Sequence, residues 1–411
     1  LRLAYLVGQY PALPHSYILH EVRVLRSLGF TVEVASISGP DRPAEQLTGI
    51  EREEMAGTFY VKSVGAGRAL WAQAAVLLTR PVRYLRTLAF SFSLGQGRFR
   101  KTLYSLFYFA EAVVFGRWMQ SRNLAHVHIH YASTVGLIAA RLYPFTAAVT
   151  LHGSTEFLDP EGFHLRRKVA ASAFVRVISQ YGRGELMRSL PYTEWGKIEL
   201  CRLGIDPVVF SPRPFRAHPS PFEIVSIGRL SAEKGQHVLI AALERLVRQG
   251  QDVRLRFLGD GPDRAELERD AAARGLEGQV VFEGAFAHAR LPELCAQADV
   301  CALTSFREGI PVSLMEAMAM EIPCVAPRIT GIPELIEDGA DGLLFAPADE
   351  EELAAALLRL IGNPDLRRRL GEAARQRVLR EYDLAANTAR FAEILRRRLF
   401  PGHSLARQQH A

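Results

Sequence analysis

Residues 222–259 read FEIVSIGRLSAEKGQHVLIAALERLVRQGQDVRLRFLG, and the fold class follows from how they alternate. FEIVSI is a short apolar run closed by Gly228. GQHVLIAALERLV then carries apolar residues at helical spacing, and VRLRFLG is a second short run ending at Gly259. Strand, helix and strand in that order form a unit whose strands lie parallel with the helix packed across them. The alternation continues in both directions. Downstream it predicts strands at 279–284, 299–304, 322–327 and 341–345, with helices near 263–275, 290–297 and 312–320. Three closing helices are predicted near 349–361, 365–381 and 384–399. Upstream, strands are predicted at 3–7 and 31–37 around a helix over 15–28, and strand–helix units recur near 125–143, 147–174 and 175–190.

Residues 204–221, GIDPVVFSPRPFRAHPSP, hold five prolines and break the periodicity, which predicts a linker. The reading is an α/β chain of two doubly wound, Rossmann-like domains, 1–203 and 222–383, followed by a C-terminal segment at 384–411. Two such domains facing each other would make a cleft. Ligands in these folds bind outside the carboxyl ends of the strands, near helix N-termini.

Composition narrows the class. The 411 residues suit two or three domains, and 48% hydrophobic with 23% charged residues excludes a disordered chain. A formal net charge of +6 on this length does not imply nucleic acid. The four cysteines, Cys201, Cys295, Cys301 and Cys324, form no CxxC pair and fit a reducing, cytoplasmic compartment. The N-terminal LRLAYLVGQYPALPHS reads as a first buried strand rather than a signal peptide, and no run of about 18 uncharged apolar residues predicts a spanning helix. Only five cations are lysines (62, 101, 168, 197 and 234), so a lysine at a motif position stands out.

The chemistry concentrates in three stretches. In SFREGIPVSLMEAMAMEIPCVAP, 305–327, Glu308 follows a strand and Glu316 sits in an apolar helix. A carboxylate in such a helix is costly without a partner. It is either ion-paired or accepts hydrogen bonds from hydroxyls of a bound polar ligand, and sugar and ribose hydroxyls suit that role. In IGRLSAEKG, 227–235, Arg229 and Lys234 stand where a helix begins, a place its dipole disfavours for cations. They make sense if an anion binds between them, and phosphate is the natural one. In FLGDGPDRAEL, 257–267, Gly259 and Gly261 would let backbone approach a ligand, although a tight turn with an Asp263 helix cap explains them equally well. In the first half, His152 and Gly153 follow the strand AAVTL, and HVHIH places His126, His128 and His130 on one strand face. Metal binding there is disfavoured because no carboxylate or cysteine lies nearby in sequence. No phosphate-binding Gly-x-x-x-x-Gly-Lys-Ser/Thr loop and no Asp-x-Asp pair for a divalent metal occur.

Together these residues resemble the family 4 retaining glycosyltransferases, which have the GT-B fold. The resemblance covers nearly the whole chain and is most specific in GRLSAEKG at 228–235, GDGP at 259–262, and EGIPVSLMEAMAMEIPCVAP with GIPELIEDGADGLLF at 308–345. The E-G-I-P variant and YPALPHSYILHEVRVLRSLGF near the N-terminus look like the colanic-acid and exopolysaccharide branch. The resemblance implies that Arg229 and Lys234 hold the diphosphate of a UDP-sugar or GDP-sugar. It implies that Glu308 binds the transferred sugar, Glu316 the ribose, and His152 the reaction centre. Gly228, Gly259, Gly261, Gly309 and Ile310 would belong to the donor loops. It also implies a C-terminal helix that crosses back to the N-terminal domain, and no cofactor or metal, since the two cations and a helix dipole neutralise the diphosphate. Three positions depart from the common pattern. Pro14, His15 and Ser16 stand where many members have glycines, Pro311 lacks a backbone N–H, and Glu321 replaces a frequent glycine.

A sugar phosphorylase or nucleotide-sugar epimerase shares this architecture, and a catalytically dead scaffold is the non-enzymatic alternative. An epimerised free nucleotide sugar, formed without acceptor, would mark the former. Retention of Arg229, Lys234, Glu308 and Glu316 argues against the latter. The charge is also local. Residues 61–122 hold ten cations, one anion and eleven aromatics, and residues 366–411 hold eleven arginines against four acids. One reading is docking on an anionic membrane, at the inner face of the plasma membrane, where a lipid-linked acceptor sits. The other is a solvated helix face with its aromatics in the core.

Overall fold

The computed structural model describes residues 1–153 and 155–403, which form two compact units. The first comprises Leu1–Ile178, Gly182–Cys201 and the chain from Thr388 onward, and the second Ser179–Tyr181 with Arg202–Asn387. The tail at 404–411 lies outside the described residues.

The first unit is built on a parallel sheet of β1 (Arg2–Gln9), β2 (Thr31–Ser38), β3 (Phe59–Tyr60), β4 (His126–His130), β5 (Thr146–Leu151), β6 (Ser172–Val177) and β7 (Ile198–Leu200). Their order is β3-β2-β1-β4-β5-β6-β7. The second unit carries β8 (Phe222–Ile227), β9 (Val253–Leu258), β10 (Val280–Gly284), β11 (Val300–Ala302), β12 (Cys324–Pro327) and β13 (Leu343–Phe345), ordered β10-β9-β8-β11-β12-β13 and again parallel. Both are doubly wound sheets. Each reverses its winding beside its first strand, between β1 and β4 and between β8 and β11. That reversal opens a crevice at the carboxyl ends of the two strands.

The elements follow from local chemistry. Every residue of β8 is buried, as expected for a strand with helices on both faces. Helix Gln236–Arg248 turns Leu239, Ile240, Leu243 and Leu246 into the same core, a stripe at three- and four-residue spacing. Asp349 caps helix Glu350–Ile361 by accepting from the N–H groups of Glu351 and Glu352. The C-terminal helix Leu384–Leu399 begins in the second unit and its body belongs to the first, the return that the resemblance implied. There Phe391 is fully buried against His128, with ring centroids 4.9 Å apart, and Arg397 and Arg398 pair with Glu199 at 2.9 and 2.6 Å.

Candidate active site

At the reversal of the second sheet, two loops far apart in sequence meet. After β8 the chain passes Gly228 and Arg229 into a turn of 3-10 helix, Ala232–Lys234, before helix Gln236–Arg248. After β11 it passes Ser305 and Glu308 before helix Val312–Ala319. Lys234 Nζ lies 2.6 Å from Glu308 Oε1, and Ser305 Oγ donates to the same oxygen at 2.6 Å. Backbone ties hold the loops together. Thr304 Oγ1 donates to the Lys234 carbonyl at 3.1 Å, and the Phe306 N–H to that of Glu233 at 2.9 Å. The pair explains how a cation is tolerated at a helix start, because Glu308 offsets the charge of Lys234. Arg229 is exposed and makes no ion pair among the described residues, while its carbonyl accepts from Gln236 Nε2 at 2.9 Å. The junction therefore holds one paired and one unpaired cation beside a helix N-terminus, an arrangement suited to a polyvalent anion.

Glu316 is buried on helix Val312–Ala319, and its partner is His288, whose Nε2 lies 2.6 Å from Oε1. The need for a partner was legible in the sequence. That it would be a histidine from the turn His288–Arg290, 28 residues earlier, was not. Ile310 is buried, and Pro311 occupies the N-cap of the helix, where its fixed φ of −72° suits the entry. The glycines after β9 serve a loop-to-loop contact. A Cβ on Gly259 would stand 2.0 Å from the Gly228 carbonyl oxygen, and one on Gly261 2.1 Å from that of Leu230. The competing reading, an Asp263 side-chain cap, does not hold, because Asp263 makes no capping bond.

In the first unit the reversal point gathers aromatic and imidazole rings. The turn Leu13–His15 follows β1, and the His15 ring stacks on Tyr131 at 4.2 Å; this is the stretch where the chain departs from the glycine pattern. Tyr131 stacks in turn on His152 at 4.8 Å, and its hydroxyl bonds to that of Tyr17. His152 Nε2 lies 2.8 Å from His130 Nδ1. His130 Nε2 faces Glu21 Oε1 at 3.8 Å, and Glu21 also holds the Arg176 guanidinium at 2.5 Å and the Tyr5 hydroxyl at 2.9 Å. A carboxylate so placed favours the proton on His130 Nε2. His130 Nδ1 then accepts from His152 Nε2–H, which leaves His152 Nδ1 as a bare acceptor. That atom is buried and has no partner among the described residues. Burial holds His128, His130 and His152 well below the usual imidazole pKa and lowers His15 to about 4, so all four are neutral near pH 7.

Sequence reasoning singled out His152 but not Tyr17, Glu21, Tyr131 or Arg176. Only the positive φ of Tyr131 (62°) marks it as unusual, and backbone angles are not written in a sequence. Within HVHIH, His128 bonds to Thr150 Oγ1 at 2.6 Å and its ring lies 4.8 Å from that of His130, while the half-buried His126 packs on Phe400 at 4.5 Å. Among the described residues no three His, Cys, Asp or Glu side chains are grouped to hold a metal ion.

Residues 211–377 match the family described as Glycosyl transferases group 1. The putative colanic acid biosynthesis glycosyltransferase WcaL of Escherichia coli K12 is 29% identical over 390 residues, covering 87% of this chain and 90% of that protein. The amylovoran biosynthesis glycosyltransferase AmsK of Erwinia amylovora is 27% identical, covering 97% of this chain and 100% of its own. Two further relatives, each 35% identical, match over only 45% and 51% of their own length. Among solved structures, Anabaena HepE in complex with UDP superposes with a TM-score of 0.72 at 20% identity, covering 96% of this chain and 99% of that one, which shows the shared GT-B fold. Residues 211–377, which carry the loops that meet at Lys234 and Glu308, match the group 1 glycosyltransferase family, and over most of its length the chain is similar to glycosyltransferases of exopolysaccharide biosynthesis.

Proposed function

We propose that the chain moves a glycosyl group from a nucleoside-diphosphate sugar, a UDP-sugar or GDP-sugar, to a hydroxyl of a lipid-linked or oligosaccharide acceptor, in the assembly of a bacterial exopolysaccharide. The observation that carries this reading is the Lys234–Glu308 junction with unpaired Arg229 beside it, at the carboxyl ends of β8 and β11. The relatives named for colanic acid and amylovoran biosynthesis support the pathway, and the UDP in the HepE structure supports the donor class. Arg229 and Lys234 bind the diphosphate and stabilise it as it leaves. Glu308 accepts from hydroxyls of the transferred sugar. Glu316, oriented by His288, accepts from the ribose. His152 Nδ1 offers an acceptor to a sugar hydroxyl. Transfer retains the anomeric configuration, as in family 4. The acceptor oxygen bonds to the anomeric carbon on the face from which the diphosphate departs, the carbon–oxygen bond to the diphosphate breaks, and the hydroxyl proton passes to the leaving oxygen. Two cations and the helix N-terminus carry the developing charge, so the reaction proceeds without a divalent metal. The enzyme works in the cytoplasm at the inner face of the plasma membrane, with its basic stretches toward anionic lipid.

Titration calorimetry with a panel of nucleotide sugars, followed by turnover with and without EDTA, tests the reading. Lys234→Ala and Glu316→Ala should each lower donor kcat/KM by about 100-fold, the size expected when a charged partner is removed from a desolvated site. EDTA should leave the wild-type rate unchanged. Wild-type turnover in both variants would overturn the site assignment.

A further inference from the structure

Between β3 and β4, where a doubly wound sheet needs one crossover helix, the chain inserts three: Ala66–Thr79, Pro81–Leu94 and Phe99–Ser121. Their apolar side chains are divided between the core and solvent. On Pro81–Leu94 the buried positions are Thr87, Ser91 and Leu94, each exposed by 1% or less, and Ser91 Oγ donates to the Thr87 carbonyl at 2.9 Å. Val82, Leu85 and Phe92, on another face of the same helix, are exposed. The first half of Phe99–Ser121 repeats the pattern. Ser105 is buried and bonds to the Lys101 carbonyl, while Phe99 (82% exposed), Leu103 and Phe107 stand in water at four-residue spacing. On Ala66–Thr79, Ala72 and Val76 face inward, and Trp71 (62%) and Leu78 (81%), one heptad apart, face outward. A soluble helix places its apolar stripe on the core. Three neighbouring helices that also leave many bulky apolar side chains in solvent make a surface built for an apolar partner.

Charge identifies the partner. Arg68, Arg83, Arg86, Arg98 and Arg100 are exposed among these side chains and make no ion pair among the described residues. The only acid in residues 61–122 is Glu111, which faces Lys62 at 3.7 Å. A second copy would bring the same unpaired cations face to face, so the surface opposes self-association through it. An apolar layer beneath a sheet of negative charge satisfies both features at once, and that is an anionic bilayer. Bulky apolar side chains interleaved with arginines suit the headgroup–acyl boundary, where the rings and leucines enter the acyl region and the guanidinium groups reach phosphates. No helix among the described residues is long and apolar enough to cross a membrane.

We propose that the insertion formed by residues 66–107 seats shallowly in an anionic membrane, with Trp71, Leu78, Val82, Leu85, Phe99 and Phe107 entering the acyl boundary. This deepens the membrane contact of the functional reading, from attraction between charges to insertion of a preformed apolar face. The test uses the full chain with phosphatidylcholine vesicles, with and without phosphatidylglycerol. Binding should require the anionic lipid for capture. It should then persist in a wash at about 1 M salt, where a purely electrostatic attachment is screened within about 3 Å. Tryptophan emission should shift to the blue and be quenched by brominated acyl chains, and both signals should vanish in Trp71→Phe. Leu78→Ser with Phe99→Ser, both at exposed positions, should weaken partitioning by about tenfold or more and leave acceptor-independent donor hydrolysis unchanged. Release of the wild type by salt, absence of brominated-lipid quenching, or unchanged partitioning of the double variant would overturn the proposal. So would a lipid-free dimer that the double variant abolishes. Loss of donor hydrolysis in the wild type would instead strike at the transferase reading and leave the vesicle result standing.

Discussion

Glu321 shows what a single residue can hide. It follows helix Val312–Ala319 with φ of 59°, in the left-handed region. Its N–H donates to the Met318 carbonyl at 3.1 Å, and that of Ile322 to Ala317 at 3.0 Å, the two bonds of a Schellman ending. The glycine frequent at this place in the family is therefore a conformational choice, and Glu321 sits there under strain. Glu321→Gly should raise stability by about 0.5–1 kcal/mol in urea unfolding, with donor affinity unchanged. The same lesson holds for Lys234. Its lysine was conspicuous in the sequence, but its carboxylate partner lies 74 residues away and only the folded loops join them.

Elements carry consequences that single residues do not. The loops after β8 and β9 lie backbone to backbone, with the Leu230 N–H donating to the Asp260 carbonyl at 3.0 Å. Gly259 has φ of 150° and no room for a Cβ beside the Gly228 carbonyl. Gly259→Ala should therefore cost about 2 kcal/mol or more, read as a lowered urea midpoint, and should displace the Arg229 loop enough to weaken nucleotide-sugar binding in calorimetry. Gly278→Ala, where a Cβ would meet nothing within 4 Å, is the control and should change stability by no more than about 0.5 kcal/mol. The insertion at 66–107 marks where element-level reading stops. Its helicity and basic charge were legible, but an apolar stripe has the same period whether it faces a core or a membrane. The burial of Thr87, Ser91 and Ser105 separates the two.

At the scale of the molecule, the first unit stores its histidines uncharged. His15, His128, His130 and His152 all have pKa values depressed chiefly by burial, so the unfolded chain binds protons that the folded one refuses. For a depressed imidazole the stabilisation is complete above the unfolded value, about 6.5, and is lost as the pH falls toward the folded one. Each such histidine can contribute a slope of at most about 1.4 kcal/mol per pH unit in that window. Glu156, raised by burial to about 7, and Glu111, also raised by burial, act in the opposite sense above their unfolded values, two groups of this unit against six once the lowered His126 and His164 are counted. The urea midpoint should therefore hold between pH 7 and 8 and fall steeply from pH 6 to 5, with net proton uptake on unfolding. A midpoint independent of pH across that range would contradict neutral burial of these rings. The sequence by itself determined the parallel-sheet class and the shared architecture of the two halves, and it singled out Arg229, Lys234, Glu308, Glu316 and His152 as candidate site residues. Those depend on periods of two and 3.6 residues and on unusual residue types at element ends, which are local properties. Only the tertiary structure decided that Lys234 meets Glu308, that His288 meets Glu316, that Glu21 and Arg176 stand behind His130, and that three helices leave bulky apolar side chains in solvent. Such pairings depend on which loops and faces the packed sheets bring together. Short-range pattern sets where a helix or strand runs, whereas long-range packing sets what each side chain touches.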